Sequence, residues 1–219
     1  RRYARRENLL SYEVSYKIGM VRFKECLSWC DELGINYVTS WLLSRENLLR
    51  SEEELETYFI VLNKLFEELI IDDLVDNFKI QFIGSTDLLP DYLKETITSL
   101  QEVRGGGEKT LTIALGYGGR QEILDAIKSL VIENKEKDLE GLVEEINDEQ
   151  IREHLYLPDA PDIDLVIRTS GESRLSGFLL WQSAYSEFVF QDVYWPEFRK
   201  IDFLRCLREY TQRERRFGK

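Results

Sequence analysis

Short apolar runs alternating with stretches of helical periodicity constrain this chain more than any other feature. Ile35 to Leu43 (INYVTSWLL), Phe78 to Gly84 (FKIQFIG), Thr110 to Leu115 and Leu165-Val166-Ile167 are strand-length and rich in β-branched or aromatic residues. Glu187 to Phe190 reads as a further strand. Between them, Val14 to Leu33 repeats Val14, Ile18, Val21, Leu27 and Cys30 at helical spacing, with Gly34 placed to end the helix. Glu52 to Ile70, Pro90 to Val103, Arg120 to Glu133 and Ile201 to Arg215 carry the same period, and Ser51 with Glu54 has capping-box spacing. Strands that alternate with helices are buried on both faces and pair in parallel. The expectation is an α/β fold, a single domain over residues 1–219 with a largely parallel central sheet flanked by helices.

Bulk properties narrow the function. A formal net charge of −12 argues against a general nucleic-acid binder, although arginines cluster at Arg1–Arg6, at Arg168/Arg174 and at Arg213–Arg216. Cys26, Cys30 and Cys206 are too few and too poorly matched for a disulfide framework, and they suggest a reducing compartment. His154 is the single histidine, which excludes sites built on several histidines within this chain. No apolar run approaches transmembrane length and no signal peptide is visible. The sequence starts at an arginine, so residues upstream of Arg1 are expected.

The most informative stretch is Asp164 to Phe190. A strand (Leu165-Val166-Ile167) leads into the loop RTSGESRLSG, with Arg168, Arg174 and several hydroxyls, and Phe178-Leu179-Leu180-Trp181 is expected to open an amphipathic helix. Strand, loop and helix N-terminus make a geometry that holds anions, and guanidinium groups add paired donors shaped for phosphate. A phosphate or diphosphate site is expected there.

DLVIRTSGESRLSGFLLWQSAYSE resembles, nearly throughout, the C-terminal signature of the cis-prenyltransferases, the (Z)-polyprenyl diphosphate synthases that include undecaprenyl and dehydrodolichyl diphosphate synthases. The resemblance continues in order along the chain. Arg2-Tyr3-Ala4 is similar to the end of the family's D-G-N-x-R-[WY]-A, whose Asp-Gly-Asn is expected immediately before Arg1. Ser44 to Arg50 (SRENLLR) resembles F-S-x-E-N-W-x-R, Gly118-Gly119 resembles Y-G-G-R, and the tail RERRFGK resembles R-R-F-G. Departures are Tyr16 for a histidine, Leu48 for a tryptophan, Gly116 for an asparagine and Ser173 for a histidine.

The resemblance implies an enzyme that condenses isopentenyl diphosphate with an allylic diphosphate, using Mg²⁺, as a homodimer. It assigns Arg168, Arg174 and Ser176 to isopentenyl diphosphate, Arg2 and Tyr3 to the allylic diphosphate, and Arg216 and Gly218 to a partner's diphosphate. Asn47, Arg50 and Glu172 take catalytic roles beside a principal aspartate expected upstream of Arg1, and Glu187 holds magnesium. Leu42, Tyr58, Phe59 and Leu62 would wall a hydrophobic tunnel, although their periodicity alone reads equally as core. Leu42, where long-chain members carry alanine, favours a short product. The implied setting is cytoplasmic, with peripheral membrane contact for product release. Two alternatives stand beside this reading: head-to-middle joining of two allylic units, motivated by Tyr16, and a non-catalytic subunit of a heteromeric synthase.

Overall fold

The most apolar run of the chain, Lys109–Tyr117 (β3), is buried over seven consecutive positions because it has a strand on each side and helices above and below. Tyr37–Ser44 (β1) pairs with it in parallel from Tyr37↔Thr110 to Ser44↔Tyr117. Phe78–Ile83 (β2) pairs with its other edge from Phe78↔Lys109 to Ile83↔Ala114. Leu165–Arg168 (β4) and Glu187–Phe190 (β5) form a separate parallel pair, Leu165↔Glu187 to Arg168↔Phe190. This computed structural model describes residues 1–213 apart from 137, 139, 142, 144 and 145.

The helices are Arg2–Arg6 (α1), Tyr12–Glu32 (α2), Glu52–Ile71 (α3), Asp91–Val103 (α4), Gly119–Glu133 (α5), Asp148–Glu153 (α6) and Lys200–Thr211 (α7). Strand alternation divides the core between the two sheet faces. Leu111 and Ile113 pack with Phe23 and Leu27 of α2 and Leu62, Leu65, Phe66 and Leu69 of α3, while Ala114 faces Leu179, Trp41 and Phe178 on the opposite side, where a register shift at Gly116 (φ +56°) also brings Tyr117. Each fully buried α3 leucine contributes about 1.5–3 kcal/mol of transfer free energy. A third cluster joins α2 to α7 and β5 through Trp29, Phe203 and Val189. Among the described residues no helix is long and apolar enough to cross a membrane.

The elements follow the sequence expectation closely, with two local exceptions that matter for the site. Ser51 precedes α3, but its side chain makes no capping bond, and the Glu54 carboxylate that would complete the box is held by Tyr16, Arg1 and Arg50 instead. The helix expected from Phe178 does not form; residues 176–185 are a succession of turns. Gly177 (φ +91°) and Leu179 (φ +43°) leave helical conformation there, and the backbone of Gly119 packs directly on Gly177, with an N–H···O bond of 2.8 Å. A Cβ on Gly119 would lie 2.7 Å from the Gly177 oxygen, so the approach requires glycine.

Candidate active site

The C-terminal ends of β1 and β4 converge on the first turn of the chain. After β1, the Ser44 hydroxyl accepts from the Asn47 N–H at 3.2 Å and opens a 3₁₀ turn, Arg45–Leu49. Arg50 then donates to the Asn47 side-chain oxygen at 2.6 Å and meets the Glu54 carboxylate at 3.1 Å. The same carboxylate takes the Tyr16 hydroxyl at 3.0 Å and Arg1 at 3.3 Å. Burial, with the Glu54 hydrogen bond and charge added, pushes the Tyr16 phenol up to about 12, so it stays a donor at neutral pH.

After β4 the loop is tightly bent. Ser170 (φ +75°) and Ser176 (φ +54°) hold left-handed conformations that cost non-glycine residues of order 1–3 kcal/mol each. The Ser170 and Gly171 N–H groups anchor the bend to the carbonyls of Val193 and Gln191, at 2.8 and 2.9 Å. Glu172 joins Arg2 to Arg174 by ion pairs to both, and Arg2 also reaches the Ser170 carbonyl at 3.4 Å. Arg168 stands behind them, its buried Nε without a protein partner. Burial first, then repulsion from Arg2 and Arg174, lowers the Arg168 pKa. Three guanidinium groups around one carboxylate, one of them half-buried with its Nε unmet, form a site short of negative charge.

Below this rim lies a cavity of about 1530 Å³ whose walls include Arg168, Arg174, Asn47, Phe23, Leu42 and Tyr58. Tyr58 donates to the Leu42 carbonyl and its ring meets Tyr16 edge-on at 4.7 Å, which narrows the end nearest α3. Of the expected tunnel residues, Leu42 and Tyr58 line the cavity, whereas Phe59 and Leu62 are packed into the core and do not. The periodicity that marks them is the same for either fate. Arg2 and Tyr3 line the cavity too; Ser176 does not, although its neighbours Arg174 and Leu175 do.

The structure does not bring Glu187 to this rim. It is in register with Leu165, at the far end of the β4–β5 pair from Arg168, and it pairs with Arg213 at 2.7 Å. Arg216 and Gly218 lie outside the described residues. Among the described residues no group of three carboxylate, histidine or cysteine side chains could hold a metal. A magnesium ion here would take most ligands from diphosphate oxygens and water with one carboxylate, a mode this ion commonly adopts. Glu172 is the carboxylate that lies among the guanidinium groups, paired to Arg2 and Arg174.

Two residues to which the sequence reading gave no part in the site complete its frame. Glu54 ties Arg50, Arg1 and Tyr16 together. Glu122, 1% exposed, accepts from the Tyr117 hydroxyl, from Gln182 Nε2 at 2.9 Å and from the Tyr156 N–H at 3.1 Å. It thereby fixes the turns after Ser176 to the end of β3. A glutamate three residues after Gly119 in an otherwise amphipathic helix is the only sequence trace of this role.

A parallel α/β scaffold with an arginine rim over an apolar cavity defines a protein that handles an anionic head on an apolar tail. Residues 1–218 match the family described as "Putative undecaprenyl diphosphate synthase". The chain is 45% identical over 222 residues to isoprenyl transferase 1 of Corynebacterium glutamicum, covering 100% of this chain and 98% of that protein. It is 44% identical over 222 residues to the tritrans,polycis-undecaprenyl-diphosphate synthase (geranylgeranyl-diphosphate specific) of Thermoplasma acidophilum, covering 100% of this chain and 85% of that one. The crystal structure of lavandulyl diphosphate synthase from Lavandula x intermedia in complex with dimethylallyl diphosphate superposes with a TM-score of 0.87 at 28% identity, covering 100% of this chain and 93% of that one. The chain belongs to the undecaprenyl diphosphate synthase family and is a cis-prenyltransferase.

Proposed function

We propose that this enzyme acts as a single domain that joins isopentenyl diphosphate to an allylic diphosphate at the arginine rim and releases diphosphate, giving a Z-configured, short-chain product. The observation that carries this reading is the unpartnered buried Nε of Arg168 beside Arg2 and Arg174, above an apolar cavity. In the proposal Arg168, Arg174 and Ser176 hold the isopentenyl diphosphate head, and Arg2 with Tyr3 meets the allylic diphosphate. Asn47 and Arg50 face the reacting groups, with Glu54 as the positioning residue that aims Arg50. Arg216 and Gly218 enter only through their motif.

The chemistry suits these groups. As the allylic C1–O bond breaks, its electron pair leaves with the diphosphate, and fixed guanidinium groups stabilise that charge where it develops. The double-bond electrons of isopentenyl diphosphate form the new bond from its C4 to C1, its C3 becomes cationic, and loss of a C2 proton to the departing diphosphate leaves the new C2–C3 double bond. Apolar walls keep water from the cationic carbon. Bound magnesium would neutralise diphosphate charge, with Glu172 the protein carboxylate nearest the cluster. The short product rests on Leu42, Tyr58 and Tyr16 narrowing the cavity. A homodimer working in the cytoplasm, with membrane contact at product release, completes the proposal.

Similarity to lavandulyl diphosphate synthase, together with Tyr16, favours one other reading: head-to-middle joining of two allylic diphosphates. Incubation with magnesium, labelled isopentenyl diphosphate and allylic primers of several lengths, with products resolved by mass spectrometry and NMR, decides. A linear Z product supports the proposal; a branched product formed from dimethylallyl diphosphate alone refutes it.

A further inference from the structure

We propose that Leu48 and Gly116 form a matched knob and notch, and that this fit positions Asn47 and Arg50 for prenyl transfer. β1 and β3 lose their simple register where they end. Leu43 is opposite Leu115 but Ser44 is opposite Tyr117, so Gly116 is an extra residue in β3. Its φ of +56° is open to glycine without steric cost, and it bends β3 where β1 passes into the 3₁₀ turn Arg45–Leu49. The Leu48 side chain fills the space this leaves. A Cβ on Gly116 would stand 3.2 Å from Leu48 Cδ1 and 3.1 Å from the Ser85 carbonyl oxygen, closer than ordinary van der Waals contact. Both positions depart from the motifs this chain otherwise follows, and the one contact accounts for the two departures together.

The turn has its own internal bonds, from the Asn47 N–H to Ser44 and from Arg50 to the Asn47 side chain. These set its shape but not its place on the sheet. Its place comes from the seat on β3. Leu48 is half-buried against the main core, whereas Leu49 is 87% exposed, so only the first of the two leucines holds the turn down. The Arg45 guanidinium donates to the Ser85 hydroxyl, and the Ser85 N–H donates to the Gly116 carbonyl at 3.3 Å, which ties the turn to the notch through one serine. Gly118 lets the start of the turn lie against β3, since its Cβ would be 3.6 Å from Arg45 Cβ. Asn47 and Arg50 line the cavity; Leu48 and Gly116 do not, so any effect they have on turnover travels through the turn. Misplacing groups at the reacting centre by about 1 Å can cost about 100-fold in rate. Leu48 is therefore a positioning residue, and the inference rests on the proposed placing of Asn47 and Arg50 beside the reacting groups.

The parent, Leu48→Ala, Gly116→Ala and the double variant test it, with Leu48→Met refilling the notch as a control. Turnover is followed as diphosphate release with magnesium, isopentenyl diphosphate and dimethylallyl, farnesyl or geranylgeranyl diphosphate, whichever primer the parent consumes fastest. That readout counts linear and head-to-middle joining alike. Leu48→Ala should lower kcat about tenfold with KM changed less than about twofold, and Leu48→Met should stay near the parent. Gly116→Ala should cost at least about threefold less in the Leu48→Ala background than in the parent. The left-handed backbone and the approach to Ser85 are common to both backgrounds, and only the collision with Leu48 differs. Without ligand, the Asn47 and Arg50 N–H groups should exchange hydrogen about tenfold faster in Leu48→Ala while β3 stays protected. Unchanged exchange, or losses that simply add in the double variant, overturns the fit. Faster exchange with unchanged turnover overturns the positioning role, and places the fault in the reading of Asn47 and Arg50 rather than in the Leu48–Gly116 contact. If Gly116→Ala does not fold, the two Leu48 variants decide.

Discussion

Replacing Glu122 tests how the frame behind the arginine rim is held. Its carboxylate is fully buried and serves three donors: Tyr117 OH, Gln182 Nε2 and the Tyr156 N–H. In Glu122→Ala all three are left inside the protein without an acceptor. Each buried unmet donor costs about 1–3 kcal/mol, and since the three share one cavity the losses are not fully additive. A loss of about 3–6 kcal/mol is expected, a large part of the 5–15 kcal/mol typical of a domain. Glu122→Gln keeps one acceptor oxygen and should lose far less. Burial outweighs the hydrogen bonds of Glu122 and raises its pKa above the ordinary 4.5. The folded protein therefore binds this proton more tightly than the unfolded chain, so the parent's stability falls as pH rises from about 4.5 to the raised value. Urea unfolding across that window should show the stability gap between parent and Glu122→Gln narrowing with pH. An alanine variant within 1 kcal/mol of the parent, or a gap that widens with pH, refutes the reasoning.

Three further outcomes are expected. Leu42→Ala widens the narrowed end of the cavity and should shift products to longer prenyl chains by mass spectrometry; an unchanged product length contradicts the role given to Leu42. Glu54→Gln removes the charge that aims Arg50 and should lower kcat/KM by about 10- to 100-fold, equivalent to roughly 1.4–2.8 kcal/mol, with the melting temperature little changed. Asp202, which accepts from the Arg199 N–H and side chain at the start of α7, should cost about 1 kcal/mol when replaced by alanine. The Arg199 guanidinium holds the Asp202 carboxyl below its ordinary 3.8, so this contribution is present above that pH and lost as pH falls through the lowered value; acid unfolding curves of parent and variant should converge there.

Local periodicity made most of the fold legible. The α2 and α3 stripes and the apolar run of β3 are decided by short-range patterns that the core then uses. Legibility failed where a tertiary partner outcompetes a local one. Glu54 has the spacing to cap α3, yet Tyr16, Arg1 and Arg50 hold it elsewhere. Phe178 to Trp181 has the composition of a helix, but the close Gly119–Gly177 contact and a left-handed Leu179 break it into turns. The clustering of Arg2, Arg168 and Arg174 follows the motifs, whereas the distance of Glu187 from them is set by strand register, which sequence spacing does not encode. Nor does helical period separate Phe59 and Leu62, which fill the core, from Tyr58, which lines the cavity.

The arginine rim as a diphosphate grip is tested most directly by calorimetric titration of isopentenyl diphosphate into the parent protein and Arg168→Ala. Loss of a desolvated charge contact costs roughly 2–5 kcal/mol, so binding should weaken by about 30-fold or more while the variant's melting temperature stays near the parent's. Equal affinity in the two proteins would contradict the account.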